Sequence, residues 1–132
     1  MQKVFCLLNH SLTANQINEL KTKFGTETIE YPPDSIKELW SNLPTTDKII
    51  PETIDTIRNW LCSKNVKKND VIILQGEAGY SFYLIDYALK KNLIPIHSVT
   101  KRIAKETIDG EIVKRFYVFE HICFRKYCYY KN

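Results

Sequence analysis

Three short polar segments carry the residue types with which a protein could cut an RNA-type phosphodiester. They are Asn9-His10-Ser11, Gln75-Gly76-Glu77-Ala78-Gly79-Tyr80-Ser81 and Thr100-Lys101-Arg102. A ribose 2′-hydroxyl can attack its neighbouring phosphate in line and leave a 2′,3′-cyclic phosphate. The protein must then hold the sugar in line, stabilise the charge on phosphorus and protonate the leaving oxygen, and orientation with electrostatics can supply most of that rate. His10 is the expected proton donor, because an imidazole changes charge near neutral pH. Ser11 stands beside it, and Lys101 would hold charge on the phosphate. These three form the candidate catalytic set. Asn9, Gln75, Gly76, Glu77, Gly79, Tyr80, Ser81, Thr100 and Arg102 are the candidate ligand contacts. Plainer roles stand beside these: a surface histidine, a serine that assists a helix start, a solvated strand end, a surface carboxylate. His121 and Arg125 fall in the terminal strand and read as structural.

The elements that must position these segments follow from periodicity. Val71-Ile72-Ile73-Leu74 is a short apolar run of the kind buried on both faces of a parallel sheet. A glycine-bracketed turn and a helix follow it. A helix start offers unpaired N–H groups and a positive dipole end, and glycines allow a phosphate to approach closely. An ordinary β–α connection has the same appearance. Upstream, Lys3–Leu8 reads as a strand. Thr13-Ala14-Asn15-Gln16 reads as a capping box opening a helix that ends at Gly25. Thr28–Tyr31 reads as a short strand. Ile36, Leu39, Trp40 and Leu43 form an apolar stripe on a second helix, and Ile54, Ile57, Trp60 and Leu61 form one on a third. A fourth helix spans about Tyr80–Lys91, and Leu93–Val99 is the next strand, with Thr100-Lys101-Arg102 as the loop after it. Asp109-Gly110 signals a two-residue hairpin, and Ile112–Tyr127 is β-prone. The order predicts an α/β fold: a Rossmann-like, doubly wound, mainly parallel sheet with a C-terminal antiparallel β-hairpin. Ligands of such sheets bind beyond the C-terminal strand ends, where all three polar segments would converge.

Composition bounds the reading. The 132 residues are 44% hydrophobic and 26% charged, which suits a single domain over residues 1–132. No apolar run reaches membrane length and the first residues lack a signal-peptide layout, so a cytoplasmic protein with no membrane partner is expected. The net charge of +4 is uneven. Residues 1–66 hold seven Lys and Arg against eight Asp and Glu, and residues 67–132 hold twelve against seven. The basic second half suits an anionic ligand. A pI of 8.8 without Lys/Arg blocks falls short of a surface for long nucleic acid. Cys6, Cys62, Cys123 and Cys128 form no CxxC pair and do not cluster with His10, His97 and His121, so no metal site is expected. GxxxxGK[ST] and GxGxxG are absent, which excludes an ordinary P-loop NTPase and argues against a dinucleotide-cofactor domain. No cofactor is called for.

Four segments together carry a family resemblance: LLNHSLT, LQGEAGYSFYLIDYA, IPIHSVTKR and VFEHICFRKY. In this order and spacing the chain resembles a small stand-alone family of ring nucleases associated with type III CRISPR systems, whose core is the CRISPR-associated Rossmann fold (CARF). The resemblance covers nearly the whole chain. It implies a ring nuclease that linearises cyclic tetra-adenylate without a metal, gives linear di-adenylate with a 2′,3′-cyclic phosphate and so switches off the immune signal. It further implies a homodimer with the ring across its two-fold interface. By position, Asn9–Ser11, Gln75–Ser81 and Thr100–Arg102 should face the ring. Catalytic roles vary within such families and are not carried over. Two alternatives stay open: a non-catalytic protein that sequesters the messenger, and a structural partner in a defence complex with no nucleotide ligand.

Overall fold

Alternating side chains along the first strand set the architecture. The computed structural model describes residues 2–26 and 28–131. In β1 (Lys3–Leu7), Phe5 and Leu7 point to one side of the sheet, and Val4 and Cys6 to the other. Each side builds its own core, so the sheet must be covered twice. On the first side lie α2 (Asp34–Ser41), α3 (Pro51–Ser63) and α4 (Ala78–Lys90), which bury Ile36, Trp40, Ile57, Leu61, Leu84 and Ala88 against Phe5, Leu7, Ile72 and Leu74. On the other side, α1 (Ala14–Phe24) lays Leu20 over Val4, Cys6, Val71, Ile73, Ile96 and Phe124.

The strands β2 (Thr28–Glu30), β3 (Val71–Leu74), β4 (Ile94–Asp109) and β5 (Ile112–Lys126) complete a five-stranded sheet in the order β2-β1-β3-β4-β5. The first four are parallel and β5 runs antiparallel to β4. This is a mixed α/β fold. The strand order reverses between β1 and β3, and a crevice opens at such a switch point. All four residues of β3 are buried, as expected for a central strand covered on both sides. Buried Asp70 ties the entry of the sheet together by accepting from Lys3 N at 3.0 Å and from Lys67 N at 2.8 Å.

Helix α1 starts as its sequence predicts. Thr13 Oγ1 accepts from Gln16 N, Gln16 returns the bond to Thr13 N, and Gly25 ends the helix at φ 65°. Helix α4 starts earlier than its periodicity suggests, at Ala78, because Glu77 caps it.

The largest departure concerns Thr100-Lys101-Arg102. They are not a loop. β4 continues through them to Asp109 and pairs with β5 as a long ribbon, with Thr100 opposite His121, Lys101 opposite Glu120 and Arg102 opposite Phe119. Most of this ribbon stands clear of the core. Its inward backbone groups pair across the two strands and its outer ones face solvent, so no buried face imposes an apolar alternation on the sequence. The turn at its tip is Gly110-Glu111 rather than Asp109-Gly110, since Asp109 still pairs with Ile112. Gly110 takes φ +61°, as the first position of a II′ hairpin loop requires. No helix among the described residues is long and apolar enough to cross a membrane.

Candidate functional site

At the C-terminal strand ends, between β1, β3 and the base of the ribbon, a cleft of about 400 Å³ opens. It is lined by His10, Thr13, Gln16, Gln75, Ser98, Thr100, Phe119 and His121, without a carboxylate among them. Three of the residues singled out from sequence meet here, one from each polar segment: His10, Gln75 and Thr100. The loop after β1 brings His10, whose Nδ1 lies 2.8 Å from Ser11 O, leaving Nε2 for a ligand. Gln75 leaves β3 with its main chain held by two bonds, N to Leu7 O at 3.1 Å and O from Trp40 Nε1 at 3.1 Å. Its side-chain carbonyl accepts from Ser98 N at 3.0 Å, which turns the amide NH₂ away from that strand.

One buried side chain in the cleft belongs to a residue that reads as structural from sequence. His121 sits in β5 with its side chain 5% exposed. Its Nδ1 lies 2.5 Å from Ser98 Oγ, and its Nε2 lies 2.7 Å from Glu19 Oε1. Glu19 reaches over from α1 and also accepts from Phe124 N at 2.7 Å. Burial pushes the Glu19 carboxyl up, but the Phe124 N–H, the His121 ring and Lys23 outweigh it and hold the group below the usual carboxylate range. An ionised carboxylate can only accept, so His121 Nε2 carries a hydrogen. In the neutral ring Nδ1 is then an acceptor, and the Ser98 hydroxyl donates to it.

A β-bulge aims His121. The pairing of β4 and β5 shifts between Val99 and Thr100: Val99 faces Cys123 and Thr100 faces His121, so Ile122 is the extra residue. Strict alternation would place Ile122 on the side of Phe124. The bulge puts His121 there instead, its ring 4.6 Å from that of Phe124, and leaves Ile122 exposed.

The other sequence candidates are distributed around this edge. Gln75, Gly76 and Ser81 line a neighbouring cleft of about 350 Å³ with His97, Ser98 and Tyr127. Gln75 and Ser98 therefore stand between the two clefts. Burial holds the His97 imidazole below its ordinary value. Asn9 and Glu77 share a third cleft with Trp40 and Thr45. Ser11 lies with His10, Tyr31 and Lys37 in a small recess. Lys37 was not anticipated: it reaches the β1 loop from α2, and no signal in the sequence pairs the two.

The turn after β3 differs from the phosphate seat expected of it. The Glu77 carboxylate itself takes the N–H groups of Gly79 at 2.7 Å and Tyr80 at 3.0 Å, and these bonds hold its carboxyl below the usual range. The helix start is thus already filled by an internal anion. Gly76 serves packing, because a Cβ there would lie 2.9 Å from three ring atoms of Trp40. Tyr80 is buried and its hydroxyl accepts from Ile50 N. On the ribbon, Arg102 shares the face of Thr100, Phe119 and His121 and lies over the Tyr117 ring at 4.2 Å. Lys101 belongs to the opposite face, across from Glu120. Among the described residues no group of three or more His, Cys, Asp or Glu could hold a metal ion.

The chain matches the family model described as "Uncharacterized protein MJ1673 family" over residues 2–125. It is 40% identical over 128 residues to a protein of Methanocaldococcus jannaschii described as "Uncharacterized protein MJ1673", a match that covers 96% of this chain and 98% of that one. No solved structure matches it.

Proposed function

The chain belongs to the MJ1673 family, and from the site it builds we propose that it is a ring nuclease that binds cyclic tetra-adenylate and linearises it by 2′-hydroxyl attack. The products are linear di-adenylate with a 2′,3′-cyclic phosphate, and the outcome is the end of type III CRISPR signalling. The observation that carries this reading is the cleft itself. Two imidazoles, His10 and His121, enter one cavity together with amides and hydroxyls and no carboxylate. A polyanion is not repelled there, and two histidines can divide the work of base and acid in a metal-independent transfer. Exposed Phe119 offers a face for an adenine to stack on. In this reading the fold is the CARF-like, doubly wound form of the Rossmann arrangement, a view supported by the helices on both faces and by the cleft at the strand switch.

Size argues for a second copy. A cleft of about 400 Å³ accommodates one nucleotide unit and not a ring of four. A homodimer with two such clefts facing each other across a two-fold axis would enclose the ring and cut it into halves. The ribbon supplies a surface for that contact, with Ile108, Val113, Tyr117 and Phe119 exposed on the cleft side.

A second reading, sequestration of the same messenger without cleavage, is favoured by one observation: no Lys or Arg lines this cleft among the described residues. One experiment separates the two. Protein in excess is incubated with cyclic tetra-adenylate in EDTA, and products are resolved by chromatography and mass spectrometry. Linear di-adenylate is expected, and His10→Ala should lower the single-turnover rate more than it weakens binding. An intact ring bound stoichiometrically selects sequestration, and an intact ring with no binding removes both readings.

A further inference from the structure

We propose that Glu19, His121 and Ser98 form a proton relay that makes the Ser98 hydroxyl the acceptor of the proton leaving the attacking 2′-hydroxyl. The inference rests on the ring-cleavage reading for its substrate. The three groups come from α1, β5 and β4 and meet only in the folded chain, and their order from carboxylate to imidazole to hydroxyl has a direction. Glu19 is ionised and fixed by two donors, so His121 Nε2 keeps its hydrogen and Nδ1 faces Ser98 as a base. Ser98 is the member that reaches ligand, because it lines two adjoining clefts, while His121 is engaged at both nitrogens.

The step balances as follows. The 2′-hydroxyl proton passes to Ser98 Oγ as the proton of Ser98 passes to His121 Nδ1. The 2′-oxygen forms a bond to phosphorus, and the bond from phosphorus to the 5′-oxygen breaks. The leaving 5′-oxygen takes a proton from the His10 imidazolium. His121 has then gained the proton that His10 has lost, and water returns the pair to its starting state. The Glu19 carboxylate faces the new imidazolium and stabilises it without being protonated itself. Ser98 is therefore a catalytic residue in this scheme, and His121 and Glu19 are positioning residues that act through it.

The test has two arms. In the first, ¹⁵N-histidine NMR of the ligand-free protein reads the His121 tautomer. Neutral Nε2–H with an accepting Nδ1 is expected, and neutral Nδ1–H overturns the relay whether or not the ring is cut. In the second, single-turnover cleavage and ring binding are measured for Ser98→Ala, His121→Gln and the double variant. Each single change should lower the rate roughly 10²–10⁴-fold, with binding held within about threefold. The double variant should be no slower than the slower single one, because groups acting as one unit are not additive. Multiplying losses, or an unchanged rate in Ser98→Ala, overturn the relay while ring cleavage by the parent protein stands. A parent protein with the Nε2–H tautomer that leaves the ring intact keeps the hydrogen-bonded chain and removes the ring as its substrate. Ser98→Ala deletes one oxygen only, so it remains informative should His121→Gln fail to fold.

Discussion

Replacing Glu19 with Gln tests the site through both stability and chemistry. Two hydrogens converge on the native carboxylate, from Phe124 N and His121 Nε2, each at 2.7 Å. A Gln amide has one oxygen and one NH₂. The Phe124 N–H cannot become an acceptor, so the amide oxygen must face it and the NH₂ must face the ring. His121 can answer only by moving its proton to Nδ1, which then donates to Ser98 Oγ, and the serine hydroxyl loses its base. Two charge-assisted bonds become neutral ones, each weaker by about 1 kcal/mol, so Glu19→Gln should cost about 2 kcal/mol. Glu19→Ala strands both donors and should cost about 4 kcal/mol. A chain of this length has roughly 7–20 kcal/mol of stability, so both variants still fold. At about 4 °C per kcal/mol, the Tm should fall by about 8 °C and about 16 °C respectively. The sign with pH follows from the depressed Glu19 carboxyl. Its contribution is fully present above the unfolded carboxyl pKa of about 4.3 and is lost as pH falls through the lower folded value. The Tm gap between parent and Glu19→Gln should therefore be constant near neutrality and close below about pH 4. Calorimetry across pH measures it. A Tm within 1–2 °C of the parent at neutral pH (about 0.5 kcal/mol or less), or a gap that widens on acidification, would refute the reasoning.

Three further outcomes follow from particular contacts. Gly76→Ala pushes a Cβ against the buried Trp40 indole, which is also tied to Gln75 O; a loss of about 1–3 kcal/mol is expected, read from the urea midpoint, and an unchanged midpoint would show that Trp40 yields. Burial pushes the Cys6 thiol up to about 12, so iodoacetamide at neutral pH should alkylate exposed Cys62 and Cys128 and spare Cys6, as followed by peptide mass spectrometry. Equal labelling of Cys6 would place it at the surface. Ile108→Lys with Val113→Lys puts two charges on directly opposed positions of the ribbon's cleft face; sedimentation should show a dimer converted to monomer, and a parent protein that is already a monomer would remove the proposed interface.

The core of the fold was legible because burial writes itself into sequence. The apolar run at Val71–Leu74, the capping box at Thr13 and the stripes around Trp40 and Trp60 each reflect a side chain that water must not reach, and the helices and the strand they predict are present. The ribbon was not legible for the converse reason. Lys101, Arg102 and Lys105 alternate with neighbours that no core constrains, so a paired strand and a polar loop have the same composition there. The candidate site shows both cases. His10 and Gln75 follow strands that could be read, Thr100 lies in the part of β4 that reads as a loop, and all three line one cleft. Lys101 depended on the misread loop, and register sends it to the other face.

His121 was missed for a more specific reason, and the reason concerns how the site is built. In the segment Val118–Phe124, strict alternation assigns Phe124 and Ile122 to one face and His121 to the other, so nothing in the pattern brings the histidine to the cleft and it reads as a structural residue of a terminal strand. One extra residue in β5 reverses the phase beyond it. Everything that makes His121 chemically interesting follows from that reversal: its contact with Ser98, its reach to Glu19 on α1, and its burial beside Phe124. Phe124 makes the phase costly to undo. Its ring is 1% exposed in the core under α1, and its N–H and C=O are held by Glu19 and Lys23. Pairing Ile122 into a regular ladder would force either this ring or His121 onto the opposite face. The same packing that stabilises the sheet edge therefore fixes the imidazole: deletion of Ile122 leaves His121 two positions from Phe124 on one face of a regular ladder and should keep the Ser98–His121 contact, read by ¹⁵N-histidine NMR, and loss of that contact would refute the reasoning.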